Sequence, residues 1–244
     1  MLRHSVLAGG AVMDPRTTPT PEAVSIQAGV VKLHGLLRLP LDASSVILFA
    51  HGSGSGRLSP RNNFVAERLW QAGIATLLLD LLTAKEEEVD AATAELRFNI
   101  PLLTARLAAA TEWTLQQPCL RGLAVGYFGA STGAAAALAA AAEILEVTAV
   151  VSRGGRPDLA GPALSRVRAA TLLIVGGNDP QVVALNRDAL RQLRCEKELA
   201  TVPGATHLFV EPGALEQVTT LAIAWFTHHA RPRGAASPAV SRAE

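Results

Sequence analysis

The chain has 244 residues, enough for one large domain or two small ones, and its run of similar strand and helix signals favours one. Apolar residues make up 49% of the chain and charged residues 18%, which excludes a disordered or fibrous protein. Because 22 basic side chains nearly balance 21 acidic ones, no overall field draws the chain to nucleic acid or to an anionic membrane.

The cysteine content and the absence of long apolar segments limit the cellular compartments in which the protein is expected. Cys119 and Cys195 indicate neither a disulfide framework nor a metal site, so a reducing, cytoplasmic location is the default. The apolar stretch of residues 6–12 is shorter than a usual secretory signal, although secretion stays an alternative. No segment approaches the roughly 20 apolar residues of a membrane span. We expect a protein without metal, cofactor, nucleic acid or membrane as a partner.

The two ends of the chain differ in composition from its middle. Residues 1–22, with a stretch rich in proline and threonine, predict a flexible leader, and residues 231–244 predict a flexible tail. A single domain is expected over residues 23–230. Its first elements, residues 24–26 and 31–39, flank Ala28-Gly29, a pattern typical of an antiparallel hairpin at one edge of a sheet.

From Val46 onward, short apolar runs alternate with longer segments of helical spacing. The predicted strands are residues 46–50, 74–79, 123–128, 148–152, 171–175 and 198–202. The predicted helices are residues 60–71, 91–116, 132–145, 181–193 and 214–228. Unbroken apolar strands are typical of a parallel sheet that is covered on both faces. Right-handed crossovers then predict an α/β fold, with a doubly wound, mostly parallel sheet and helices on both faces.

A candidate nucleophile follows the third of these parallel strands. In open α/β sheets, ligands bind beyond the carboxyl ends of the strands. There, Gly129-Ala130-Ser131-Thr132-Gly133 stands between a strand and an alanine-rich helix, the context of a nucleophile elbow. Small residues two positions before and after the serine allow strand and helix to approach closely. The alternative is a chance match, since the chain has 20 glycines.

An acid and a base follow Ser131 in the chain. Asp179 ends an apolar strand and can orient a catalytic histidine, or it can cap the helix that Pro180 begins. His207 lies on a loop after the last strand, where a base can reach the serine. Asp80 also ends a strand, but it precedes Ser131 and is better explained as structural or cleft-lining.

The glycine-rich segment His51-Gly52-Ser53-Gly54-Ser55-Gly56 fits an oxyanion loop, because backbone N–H groups there face a substrate without side-chain obstruction. The expected donors are the N–H groups of Ser53 and Thr132. His51 competes with His207 as a base but better fits this loop, where we expect it to contact substrate. The alternative is a phosphate cradle, which the spacing disfavours because the segment lacks the G-x-G-x-x-G pattern.

Four arginines follow strand ends near this loop and the elbow: Arg57, Arg61, Arg153 and Arg156. The hypothesis is that one of them, with Arg57 and Arg153 as candidates, binds a substrate carboxylate or phosphate, since guanidinium groups form bidentate pairs with both. The alternative is a structural pair with a nearby acid, namely Asp80, Asp158 or residues 86–88. The short acidic segment between Asp80 and Phe98 is too small for a full lid domain.

The motifs HGSGSG, GASTG, VVSRGGRPDLA, GGND and THLF together resemble the dienelactone-hydrolase-like branch of the α/β hydrolases, over residues 24–229. This resemblance implies an eight-stranded sheet whose second strand is antiparallel to the rest, a minimal cap and carboxylic ester chemistry. It also implies that Ser131 is the nucleophile, Asp179 the acid and His207 the base. Dienelactone hydrolases proper use cysteine, so Ser131 is a departure that argues against dienelactone itself as the substrate. Similar modules are fused to phosphoribosyltransferase-like domains, which this sequence does not show.

The expected function is therefore that of a serine esterase, which cleaves a small-molecule carboxylic ester through an acyl-enzyme intermediate. Three alternatives stay open: lactone hydrolysis, acyl transfer on the same three residues, and a binding module without turnover on a hydrolase scaffold. Homodimerisation is also left open.

Overall fold

Eight strands form a single sheet in the computed structural model, which describes residues 20–231. The strands are β1 (Glu22–Ala28), β2 (Val31–Arg38), β3 (Ser45–Ala50), β4 (Ala75–Leu79), β5 (Ala124–Ala130), β6 (Val147–Arg153), β7 (Ala170–Gly176) and β8 (Lys197–Val202). All of the predicted strands are present, and their ends differ from prediction by a few residues at most. Apart from their innermost residues, the predicted leader (1–22) and tail (231–244) lie outside the described part of the chain.

The strand order across the sheet is β1-β2-β4-β3-β5-β6-β7-β8. Strands β3 to β8 run parallel, whereas β2 is antiparallel to both of its neighbours, β1 and β4. Both the mostly parallel sheet and its antiparallel second strand are therefore confirmed. Every residue of β3, β4, β5 and β7 is buried, because helices cover both faces of these strands.

Within residues 20–231, five α-helices connect strands and a sixth follows β8. They are α1 (Pro60–Gln71), α2 (Ala84–Thr93), α3 (Ile100–Gln116), α4 (Thr132–Glu143), α5 (Pro180–Gln192) and α6 (Ala214–His229). Helices α1 and α6 cover one face of the sheet, over a core that includes Phe49 and Phe128. Helices α3, α4 and α5 cover the other face, over a core that includes Tyr127 and Leu138. In residues 20–231, no helix combines the length and apolarity needed to cross a membrane.

The single helix predicted over residues 91–116 is wrong. The structure instead has α2, a short 3-10 turn (Leu96–Phe98) and α3. Thr83 and Glu86 form a capping box that starts α2 seven residues before the predicted helix. Ala94, with a φ of 57°, ends α2, and the Asn99 side chain caps α3 by accepting the Leu102 N–H. Local hydrogen bonds at these positions thus divide the apolar repeat.

Candidate active site

Ser131 stands in the tight turn between β5 and α4, with a φ of 50° and a ψ of −123°. A non-glycine residue in such a conformation costs on the order of 1–3 kcal/mol and is held by its surroundings. Those surroundings are very close: a Cβ added to Gly133 would lie 2.2 Å from the Ala50 carbonyl oxygen, and one added to Gly129 would lie 2.5 Å from Ala134 Cα. The glycines therefore allow the close approach expected of an elbow, and the turn projects Ser131 beyond the sheet.

Asp179 uses its two carboxylate oxygens for two different partners. Its Oδ1 accepts the Val182 N–H at 3.3 Å, which caps α5. Its Oδ2 accepts a hydrogen bond of 2.9 Å from Nδ1 of His207. The capping role and the histidine-orienting position, which the sequence offered as alternatives, are thus both present.

The loop that carries His207 is tied to the turn that carries Asp179. The Asn178 N–H donates to the Ala205 carbonyl at 2.9 Å, and the Asn178 side-chain amide donates to the Gly204 carbonyl, also at 2.9 Å. Two residues after His207, Phe209 is buried in the core with a φ of 53°. These contacts hold the two loops together and keep the His207 ring beside Asp179.

One cavity of about 360 Å³ contains all three of these side chains on its wall, together with Ser53 and Thr132. Within residues 20–231, no hydrogen bond joins Ser131 Oγ to the His207 ring. Such bonds commonly form only when substrate is bound. The fold has therefore brought Ser131, Asp179 and His207 to one place, from loops that are 48 and 28 residues apart in the chain.

The predicted oxyanion loop lies directly against the elbow. A Cβ added to Gly52 would lie 2.8 Å from Ser131 Cβ, and Ser53 Oγ is 3.4 Å from Thr132 Oγ1. Thr132 is the first residue of α4, and N–H groups in a first turn have no partner within their own helix. This end of a helix also carries a partial positive charge. The Ser53 and Thr132 segments are thus adjacent to Ser131, as the prediction of an oxyanion hole requires.

Both ring nitrogens of His51 are occupied by backbone groups. Nδ1 donates to the Gly52 carbonyl at 2.9 Å, and Nε2 accepts the Leu81 N–H at 2.9 Å. The residue is only 6% exposed, and burial lowers the pKa of its imidazole, against smaller raising effects of the Gly52 carbonyl and Asp80. These bonds favour a role in holding the oxyanion loop against the segment after β4, over the expected contact with substrate.

The buried neutral state of His51 predicts a pH-dependent stability. Its native pKa lies below the unfolded value of about 6.5, so the unfolded chain takes up the proton first as the pH falls. The free energy of unfolding should thus be highest above about pH 6.5 and should decrease below it, by at most about 1.4 kcal/mol per pH unit from this group. We expect urea denaturation between pH 8 and 5 to show a shallower decrease for His51→Gln than for the parent.

The matched control for that measurement is His34→Gln, because His34 is exposed on β2. This variant should lose stability with pH as the parent does. Equal pH slopes for the parent and His51→Gln would contradict the assignment of the slope to His51.

The four arginines near the site fall into two groups. Arg57 pairs with Asp80 through its guanidinium, and its backbone N–H donates to the same carboxylate at 2.7 Å. Arg156 pairs with Asp158 at 2.7 Å. The structural alternative is therefore favoured for these two, including the Arg57 that was a candidate for substrate binding. Arg61 and Arg153 differ from them, because no ion pair of either residue occurs within residues 20–231.

The structure contains a second cavity next to the oxyanion loop, which the sequence analysis did not predict. It has a volume of about 180 Å³, and its wall includes Gly52, Ser53, Leu82, Ala91 and Leu103. Helix α2 closes it on one side, so it exists only because the 80–98 segment folds as two short helical pieces. The Thr83-x-x-Glu86 capping pattern was the signal that could have revealed α2.

In the described residues, no group of three or more histidine, cysteine or acidic side chains is arranged to hold a metal ion.

Several solved structures share the fold of this chain. A dienelactone hydrolase from Anabaena variabilis is 59% identical, with a TM-score of 0.85 over 86% of this chain and 98% of that one. Est1E from Butyrivibrio proteoclasticus is 17% identical, with a TM-score of 0.69 over 84% of this chain and 97% of that one, and this likeness concerns the fold alone.

Among curated proteins, a putative phosphoribosyl transferase of Mycobacterium tuberculosis is 51% identical over 229 residues, which are 93% of this chain and 51% of that protein. The chain thus spans about half the length of the curated relatives it matches. The model of the dienelactone hydrolase family matches residues 34–228, which contain strands β3 to β8 and all three clustered side chains. Together with the Anabaena structure, this match shows that the chain belongs to the dienelactone hydrolase family.

Proposed function

We propose that this chain is a serine hydrolase that cleaves carboxylic esters, with Ser131 as nucleophile, His207 as general base and Asp179 as the acid that orients the base. The observation that carries the proposal is the 2.9 Å hydrogen bond between His207 and Asp179, on the wall of the cavity that also contains the strained Ser131. A serine hydroxyl is a poor nucleophile unless such a base removes its proton.

The mechanism follows from which atoms are already occupied. Because His207 Nδ1 donates to Asp179, its Nε2 is the nitrogen that is left to take the proton from Ser131 Oγ. The oxygen attacks the ester carbonyl, and the resulting oxyanion accepts hydrogen bonds from the Thr132 and Ser53 N–H groups. His207 then gives its proton to the leaving alcohol. Water, activated by the same ring, releases the acid from Ser131.

Asp80 and His51, the other candidates for the acid and the base, are engaged with other groups. The Asp80 carboxylate is held by Arg57, and the His51 ring uses both nitrogens for backbone hydrogen bonds. Neither group is left with the geometry that a second catalytic pair needs, which supports Asp179 and His207.

The proposal covers open-chain esters and lactones, because a lactone is a cyclic ester that reacts at the same acyl carbon. The 59% identity to a structure described as a dienelactone hydrolase supports including lactones. Phosphoribosyl transfer is not proposed for this chain, since the relatives that carry that name are matched over only 51% of their length.

Labelling with a fluorophosphonate probe tests the proposal, because the probe reacts covalently only with an activated serine. We expect the parent to be labelled on Ser131 and Ser131→Ala to be unlabelled, with peptide mapping by mass spectrometry as the readout. Ser165→Ala, which removes an exposed serine, should be labelled like the parent. A folded parent that takes up no label, and turns over no ester, would instead favour the binding module without turnover.

A further inference from the structure

Arg153 is positioned by the sheet next to the nucleophile. It is the last residue of β6 and lies opposite Ala130 in β5, and its carbonyl accepts the Ser131 N–H at 3.3 Å. The strand continues from Val151, which faces the core beneath α1 and α6, so the side chain two residues later lies on that same face. Arg61 of α1 comes to the same region from the helix side.

The Arg153 guanidinium is buried and forms no ion pair within residues 20–231. The residue is only 8% exposed, and its Nη1 makes no hydrogen bond within residues 20–231. The buried Nε of Arg61 is likewise without a partner in that part of the chain. An unpaired buried charge is strongly destabilising, and an unsatisfied buried donor in a native fold needs an explanation such as a bound ion.

Both arginines line one cavity of about 250 Å³, which we call the arginine pocket, and whose wall also includes Ser55, Ser131 and His207. Burial, with a smaller contribution from the charge of Arg61, lowers the pKa of Arg153 to about 10, so the guanidinium remains protonated at neutral pH. The pocket therefore places two positive charges, and no acidic side chain from the described residues, beside the proposed nucleophile.

We propose that the arginine pocket binds a dianionic phosphate group carried by the ester substrate, and that Arg153 and Arg61 select phosphorylated esters over neutral ones. The proposal rests on the proposed function, since Ser131 still attacks an acyl carbon and the phosphate group is only bound. A single carboxylate would leave one of the two positive charges uncompensated. A phosphate monoester carries nearly two negative charges and three acceptor oxygens, which match two guanidinium forks and the hydroxyls on the pocket wall.

Binding of inorganic phosphate tests the pocket without any turnover. At pH 8 and low ionic strength, isothermal titration calorimetry should show that the parent binds phosphate at least about tenfold more tightly than acetate. Arg153→Met and Arg61→Met should each weaken phosphate binding by about tenfold or more. Arg68→Met, which removes an exposed charge from the same helix as Arg61, should change it less than about twofold. Equal affinity for acetate and phosphate, or full binding by both pocket variants, would overturn the proposal.

Thermal unfolding separates a binding role from a structural one. Without phosphate, Arg153→Met should unfold at the parent temperature or above it, because an apolar side chain of similar length replaces an unpaired buried charge. Added phosphate should raise the unfolding temperature of the parent and of Arg68→Met, but not that of Arg153→Met. A large loss of stability in Arg153→Met, with phosphate binding intact in Arg61→Met, would overturn the proposal in favour of a structural role.

A pair of esters that differ only in phosphate completes the test. For the parent, kcat/KM on 1-acetylglycerol 3-phosphate should exceed that on 1-acetylglycerol by about tenfold or more, and Arg153→Met should remove this preference by lowering kcat/KM mainly on the phosphorylated ester. Equal losses on both esters would overturn phosphate recognition. Arginine-dependent binding of inorganic phosphate without hydrolysis of either ester would instead support the pocket and count against the proposed function.

Discussion

Replacing Ser131 with alanine is expected to lower kcat on a p-nitrophenyl ester by about 10⁴ to 10⁶, by analogy with the removal of nucleophiles from other serine hydrolases. The reason is that the acyl-enzyme route is lost, whereas the oxyanion donors and the cavity remain. The substitution keeps the Cβ atom and removes only the hydroxyl, so the elbow should stay folded. Initial rates at saturating substrate, read from nitrophenolate release, give the comparison.

Two measurements guard that result against other causes. The unfolding temperature of Ser131→Ala should stay close to that of the parent, which excludes a loss of fold. Ser165→Ala should keep the parent rate, because Ser165 is exposed outside the cavity. A Ser131→Ala variant that retains a tenth of the activity would refute the nucleophile assignment.

The second large effect is expected for Asp179→Asn, which should lower kcat by about 10⁴ on the same ester. An amide in place of the carboxylate that accepts from His207 Nδ1 favours the wrong imidazole tautomer and no longer stabilises the imidazolium. Asparagine is, however, as good an N-cap as aspartate, so the cap of α5 should survive. We therefore expect a large loss of activity with little loss of stability.

Asp179→Ala separates the two roles of this side chain. It should show the same loss of activity and, in addition, a decrease of about 0.5–2 kcal/mol in the free energy of unfolding, because the cap of α5 is removed. Asp188→Asn, an exposed change on the same helix, should leave both quantities unchanged. If Asp179→Asn kept most of the parent activity, the acid would have to be sought elsewhere.

The strands were predictable because burial on both faces requires nearly continuous apolar sequence, which can be recognised without the structure. Strands β3, β5 and β7 are almost entirely apolar, and an apolar run of that length between turn residues is typical of a strand that is buried on both faces. Helix α1 was predicted with its observed bounds, because Ser59 caps it and Pro60 begins it. The break before α3 was missed, although the Asn99 cap and Pro101 in the first turn of α3 are both local signals of a helix start.

The candidate site divides in the same way. Ser131, Asp179 and His207 could be named from the sequence, because each follows a strand and the carboxyl ends of parallel strands meet at one edge of a sheet. The sequence could not show, however, whether Asp179 caps α5 or contacts His207. Asp179 turned out to hold both the α5 cap and His207, and this depends on two loops meeting in space.

The amino-acid sequence by itself determined the fold class, the elbow and the residue types at the strand ends, because these depend on local pattern and on the known geometry of parallel sheets. Tertiary structure alone decided how each charged side chain is used. Arg57 and Arg153 are equivalent in the sequence, each an arginine shortly after or at a strand end, yet Arg57 meets Asp80 and Arg153 is buried beside Arg61. Pairing and desolvation are properties of neighbours in space, and the chain order does not record which neighbours a folded side chain will have.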